Sequence, residues 1–297
     1  MNNYFELNIS INPEMEEIVS DIFFTNFDCE GVVLEEETYK DLEITSTTRG
    51  KLKVFLTKYP NNLEEILSVE RELMKSRGLT DEELGSWEIT LDEKENQDWS
   101  KKWKEKWTVT HVTDKIAVVP SWLNYEPKDG EITITLDPGC AFGTGTHQTT
   151  QLCMKALEKY LKKGDSVADI GTGSGILAIL AKKLGGGEIY GCDIDETVID
   201  VCRENARVNE VKVIFELNTA DKITEQYDFV CANILHFVLA EIMGDLKNIT
   251  KPNGLISLSG ILYEKKDMVI DAIQKEKLKI IDTHTQDQWI SYVVQKF

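Results

Sequence analysis

Phe5, Leu7, Ile9 and Ile11 alternate with polar residues, the period-two pattern of a half-buried strand. From Pro13 the period lengthens. Met15, Ile18, Val19, Ile22 and Phe23 share one face of a helix, with proline at its opening. A strand is expected at Val32 to Glu36 and another at Leu52, Val54 and Leu56. A helix follows with Leu63, Ile66, Leu67 and Leu73 inward, then a last strand through Trp87, Ile89 and Leu91. The order β-α-β-β-α-β predicts a small ferredoxin-like α+β domain over residues 1–95. That fold hosts many functions and identifies none.

Residues 96–107 read as a short linker helix. Trp99, Trp103 and Trp107 recur at i, i+4 and i+8, with Lys101, Lys102, Lys104 and Lys106 around them. A Trp face docking on a neighbouring domain is preferred to an aromatic nucleic-acid platform.

From Thr108 the pattern changes again. Short strands at Ile116 to Val119 and Ile132 to Leu136 precede a loop, Asp137 to His147. Strand and helix patterns then alternate: Ser166 to Ile170, Ile176 to Leu184, Glu188 to Cys192, Thr197 to Asn209. The chain continues with Tyr227 to Ala232, a helix within Phe237 to Asn248, Leu255 to Ser259, a helix within Lys266 to Lys275 and two final strands. Such alternation builds a mostly parallel sheet with helices on both faces over residues 108–297.

Composition narrows the functional classes. The chain has 297 residues, with 52 Asp plus Glu against 33 Lys plus Arg and a formal net charge of -19. That surface repels phosphate backbones, so direct nucleic-acid binding is not expected, whereas a basic partner is attracted. The six cysteines form no C-x-x-C pair, and no metal-ligand cluster is visible. The first residues lack the basic and apolar regions of a signal peptide, and no uncharged run is long enough to span a bilayer. A cytoplasmic monomer without a metal is the expectation.

The sharpest local signal is Asp169-Ile-Gly171-Thr-Gly173-Ser-Gly175, directly after an apolar strand. Three glycines let the backbone approach a ligand that a Cβ would block. The spacing is G-x-G-x-G. A dinucleotide fingerprint needs G-x-G-x-x-G, and its last position here is Ile176. The pattern therefore favours S-adenosylmethionine, which brings no phosphate to a helix N-terminus. Asp193 ends the next strand, where a carboxylate can accept both ribose hydroxyl protons, a role shared with nicotinamide enzymes. Asp195 reads as a helix N-cap. Asn233 ends the fourth parallel strand, where open α/β sheets bind ligands, and its amide offers both donor and acceptor. The following Ile-Leu-His236 lacks the aromatic that would stack on a flipped base.

The loop Leu136-Asp-Pro-Gly-Cys-Ala-Phe142-Gly-Thr-Gly-Thr-His147-Gln-Thr-Thr150 resembles the signature of the bacterial PrmA family, methyltransferases of large-subunit ribosomal protein eleven. The Asp169 motif, Gly-Cys-Asp193-Ile-Asp, Ala-Asn233-Ile-Leu, Asp98-Trp99 with Trp103, and Pro120-Ser-Trp122 match in the same order. The resemblance implies a Rossmann-like class I methyltransferase domain with a seven-stranded sheet, a substrate-recognition role for residues 1–95, and ribosomal protein eleven as protein substrate. It further implies cofactor contacts from Thr150, Gly171, Gly173, Asp193 and Asn233, with Phe142 in a loop over the cofactor. Asn233 would orient the acceptor amine without a dedicated base. Two departures stand out: Thr172 where Cys is common, and His236-Phe237-Val238 at the acceptor entrance. His147 reads as a cap or packing residue rather than a base. Still open are another protein or a small molecule as acceptor, a nicotinamide dehydrogenase, and a non-catalytic binding module.

Overall fold

The computed structural model describes residues 4–27, 29–36, 50–56, 58–94, 107–136 and 145–297. The linker-helix reading of 96–107 falls outside these residues except for Trp107, and so do Phe142 and most of the loop before His147. The chain divides into two compact units whose main boundary lies between Trp107 and Thr108.

In the first unit, strands β1 (Tyr4–Ile11), β2 (Cys29–Glu36), β3 (Gly50–Leu56) and β4 (Ile89–Lys94) form one sheet in the order β2-β3-β1-β4. Every pairing is antiparallel, the ferredoxin-like arrangement expected from the periodicity. Helix α1 (Glu16–Asn26) buries Val19, Ile22 and Phe23, as its stripe requires. Helix α2 (Leu63–Ser76) departs from expectation: Leu73 is 41% exposed and Met74 is buried instead. Leu63, Leu67 and Met74 fall at i, i+4 and i+11, which returns to one face, whereas i+10 does not. A one-turn helix α3 (Asp81–Leu84) carries a capping box between Thr80 and Glu83. Trp87 lies before β4 rather than in it. Its φ is +57°, its backbone N–H donates to Ser10 O and its Nε1 donates to Leu84 O. Burial of the indole holds this left-handed turn and delays the strand to Ile89.

The second unit opens with β5 (Thr110–His111), β6 (Ile116–Pro120) and β7 (Ile132–Leu136), a three-stranded sheet in that order. Its main sheet contains β8 (Val167–Ile170), β9 (Ile189–Asp193), β10 (Ile214–Leu217), β11 (Tyr227–Asn233), β12 (Thr250–Leu262), β13 (Lys279–Gln286) and β14 (Trp289–Gln295). The order is β10-β9-β8-β11-β12-β14-β13, parallel through the first five and antiparallel at β14. Residues of one strand alternate between two cores. Val167, Phe229 and Cys231 face α4 (Gln148–Tyr160), α5 (Ile176–Lys183) and α6 (Glu196–Val208). Ala168, Ile170, Val230 and Ala232 face α7 (His236–Asn248) and α8 (Lys266–Lys275). Each fully buried aliphatic side chain in these layers contributes about 1.5–3 kcal/mol. Both faces being covered explains why the strands read as near-continuous apolar runs. Helix α4 and strand β10 were not specified by the periodicity. β10 is an edge strand in which only Phe215 is buried, so it shows no alternation.

Candidate functional site

The winding of the main sheet reverses between β8 and β11. From β8 the chain steps outward to β9 and β10, then returns to place β11 on the other side of β8. Open α/β sheets bind ligands in the crevice at the carboxyl ends of two such strands. Two sequence signals end there: the Gly171–Gly175 turn after β8, and Asn233 closing β11.

The turn is held by its neighbours. Gly171 N and Thr172 N both donate to Cys192 O on β9, at 2.9 and 3.0 Å. Gly171 has φ +69°, and a Cβ there would stand 2.5 Å from Ile234 Cγ2. Only glycine permits the backbone to pass so close to the residue after Asn233. Asp193 faces the turn from the end of β9. Its Oδ2 accepts from Gly173 N at 3.0 Å, and its Oδ1 accepts from Ile194 N at 2.8 Å and Asp195 N at 3.2 Å. Burial raises its pKa, while these three N–H groups oppose the rise. Asp195 caps α6 by accepting from Thr197 N at 2.8 Å, as its position before the helical pattern predicts.

On the other side, Asn233 is 7% exposed and its Nδ2 donates to Thr150 Oγ1 at 3.2 Å. Thr150 is itself fully buried in the first turn of α4. The amide therefore has its donor end engaged, and among the described residues its buried Oδ1 meets no hydrogen-bond donor. A buried carbonyl oxygen without a partner is costly and points to a donor supplied by a ligand. Ser259 on β12, paired with Asn233, anchors α4 by donating from Oγ to Thr149 O at 2.9 Å. His147 is the N-cap of α4, with Nδ1 accepting from Thr149 N at 3.3 Å and its ring edge against Trp289 at 5.0 Å. Burial lowers its pKa from 6.5 to about 4, so it is a neutral cap and packing residue. His236 is fully buried at the start of α7, its ring edge against Phe237 at 5.4 Å.

The sequence signals thus bring Thr150, Gly171, Gly173, Asp193 and Asn233 to one crevice. Asp169 gains a role that its motif did not predict. It is 1% exposed, and its Oδ2 accepts from Thr172 Oγ1 at 2.7 Å and Ala178 N at 3.2 Å, while Oδ1 has no partner among the described residues. The Thr172 departure therefore places a hydroxyl on this carboxyl group. Burial raises the Asp169 pKa from 3.8 to about 7.

The folded pKa being the higher one, Asp169 stabilises the fold fully below its unfolded value and loses that contribution as pH rises to about 7. The displacement corresponds to ~4 kcal/mol between protonation states, as an upper bound. Asp169→Asn keeps an acceptor for Thr172 and Ala178 but cannot ionise. Urea unfolding from pH ~4 to ~8 is expected to show a flatter stability profile in this variant than in the parent. Parallel profiles would mean that Asp169 ionises freely in the fold.

Among the described residues, no group of three or more His, Cys, Asp or Glu is placed to hold a metal. No helix among them is long and apolar enough to cross a membrane.

The family model for ribosomal protein L11 methyltransferase (PrmA) matches residues 3–297. A ribosomal protein L11 methyltransferase of Dictyoglomus turgidum is 34% identical over 299 residues, covering 98% of this chain and 98% of that protein. One from Alkaliphilus oremlandii is 36% identical over 279 residues, covering 92% of this chain and 87% of that protein. Among solved structures, a ribosomal protein L11 methylase from Lactobacillus delbrueckii subsp. bulgaricus superposes with a TM-score of 0.62. It is 32% identical and covers 64% of this chain and 100% of that one.

Proposed function

The chain belongs to the ribosomal protein L11 methyltransferase (PrmA) family, and on that premise we propose that it transfers methyl groups from S-adenosylmethionine to amines of large-subunit ribosomal protein eleven. The acceptors are lysine side chains, the N-terminal amine, or both. The observation that carries the mechanism is the buried Oδ1 of Asn233 beside the glycine turn, which meets no hydrogen-bond donor among the described residues.

The residues present fit the cofactor. Gly171 and Gly173 offer backbone that no Cβ obstructs, and Asp193 offers a carboxylate at the ribose position of such sheets. When bound, S-adenosylmethionine supplies an electrophilic methyl group on a sulfonium. The chain's own task is to present an amine in line with it. An amine attacks only when neutral, and removing the proton of a lysine near neutral pH costs roughly 4–5 kcal/mol. Exclusion of water and nearby positive charge both lower that cost. Asn233 Oδ1 accepts one N–H of the neutral amine and so directs its lone pair. Thr150 prevents the amide from turning by holding Nδ2. With the amine proton released to solvent before attack, alignment is the remaining task and no dedicated base is required.

The first unit presents the substrate, and the acidity of the chain speeds encounter with a basic ribosomal protein. The enzyme works as a cytoplasmic monomer. The test combines the full chain, labelled S-adenosylmethionine and purified ribosomal protein eleven, with mass mapping of the product. Label on amines of that protein is the expected result. Label on another protein or a small molecule instead would leave the methyltransferase and remove this acceptor. Binding of NAD without binding of S-adenosylmethionine would overturn the reading altogether.

A further inference from the structure

Helix α6 carries one polar residue on its buried stripe, Asn205, and ends on a second, its C-cap Asn209. Val198, Cys202 and Ala206 face the core, and Asn205 and Asn209 lie among them, each 7% exposed. An amide in such a place is destabilising unless its hydrogen bonds are met. Both are met, and by backbone that belongs to other parts of the unit. Asn205 Nδ2 donates to Ser174 O, inside the glycine turn, at 2.8 Å. Asn209 treats Thr135 of β7 as a strand partner. Thr135 N donates to Asn209 Oδ1 at 2.8 Å, and Asn209 Nδ2 donates to Thr135 O at 2.6 Å. The same Nδ2 donates to Asn205 O at 2.8 Å. β7 is an edge of its three-stranded sheet, so these side-chain bonds stand where a fourth strand would pair.

The peptide between Ser174 and Gly175 is therefore gripped at both ends. Its carbonyl accepts from Asn205, and its N–H donates to Thr172 O at 2.9 Å. Packing adds a third restraint. A Cβ on Gly175 would stand 2.9 Å from Cys202 Cβ and 3.0 Å from Phe215 Cζ, so α6 lies directly against the turn. The turn has positive φ at Gly171, Gly173 and Gly175, and backbone in that region holds one shape only when its surroundings specify it.

We propose that Asn205 is a positioning residue for cofactor binding: it orients the Ser174–Gly175 peptide, and Asn209 extends that hold to β7. This rests on the reading that the glycine turn takes S-adenosylmethionine. The turn is then built in its binding shape before the cofactor arrives, and affinity that would otherwise be spent on ordering the turn is retained. Asn205 acts on cofactor affinity and leaves the methyl-transfer step to Asn233.

The test uses the full chain and S-adenosylmethionine as the probe. Asn205→Asp preserves shape but, when ionised, sets a negative oxygen against Ser174 O. At pH ~8 the dissociation constant and the cofactor KM are expected to rise roughly tenfold, with kcat at saturating cofactor within about twofold of the parent. The defect should recede as pH falls, because the protonated acid again donates to Ser174 O. A role in stability alone would lower the melting temperature and leave this split and its pH dependence absent. Asn205→Ala, which removes the donor without adding charge, is expected to give the same split if the Asp variant folds poorly. Unchanged cofactor affinity in a folded variant, or a fall in kcat with affinity intact, would overturn the proposal. Failure of the parent to bind S-adenosylmethionine would instead remove the functional reading on which it rests.

Discussion

Replacing Asn233 with alanine is expected to lower kcat for amine methylation by roughly two to three orders of magnitude, the range seen when one preorganised polar contact to a reacting group is deleted. Cofactor affinity should fall much less. Asn233 contributes a carboxamide whose two ends do different work. Nδ2 is held by Thr150 at 3.2 Å, and Oδ1 is buried without a partner among the described residues. Alanine removes the acceptor proposed for the amine N–H and deprives Thr150 Oγ1 of the Asn233 donor. Thr150→Val probes the same pair from the other side. It keeps the shape of the side chain but frees the amide to turn, and a smaller loss in kcat is expected. Single-turnover rates at saturating cofactor separate these effects from binding. A kcat for Asn233→Ala within about threefold of the parent would remove Asn233 from the acceptor site.

The largest expected change in binding is at Asp193. Asp193→Ala should weaken S-adenosylmethionine by about a hundredfold or more, because a charged acceptor for a ribose hydroxyl is lost together with support for the turn. That support is visible in the fold. One carboxylate accepts from Gly173 N, Ile194 N and Asp195 N, at 3.0, 2.8 and 3.2 Å. A carboxylate has about four acceptor sites, so these three bonds leave room for a hydroxyl. Asp193→Asn retains the shape but loses the charge and part of the acceptor capacity, and an intermediate loss is expected. Calorimetry on both variants checks the order. Equal affinity in Asp193→Ala and the parent would mean that the carboxylate serves the turn and never meets the cofactor.

Much of this site was legible in the chain because its parts are local. A strand, three glycines and a helix within Asp169 to Lys183 are contiguous, and turn geometry is set by the residues that make it. Asp195 is a cap because it precedes a helical stripe by one residue, and Asp193 ends its strand for the same reason of sequence position. The β-α-β-β-α-β order of the first unit was likewise readable from two periodicities. Leu73 marks the limit of that reading: a hydrophobic residue one position off the stripe faces water, and only the helix phase shows it.

Tertiary structure decided the rest, through contacts between residues far apart in the chain. Thr150 meets Asn233 across 83 positions, and Asn209 meets Thr135 across 74. No local pattern encodes either pair. β10 was silent because an edge strand buries only Phe215 and needs no alternation. Asp169 was visible as a motif residue, but its raised pKa depends on how completely the surrounding strands and helices exclude water. The sequence by itself determined which residues would form the turn, the caps and the strand ends. The order in which the strands pair decided that Gly171 and Asn233 would face one crevice, because hydrophobic periodicity specifies the face a side chain takes and not the neighbour that its strand will have.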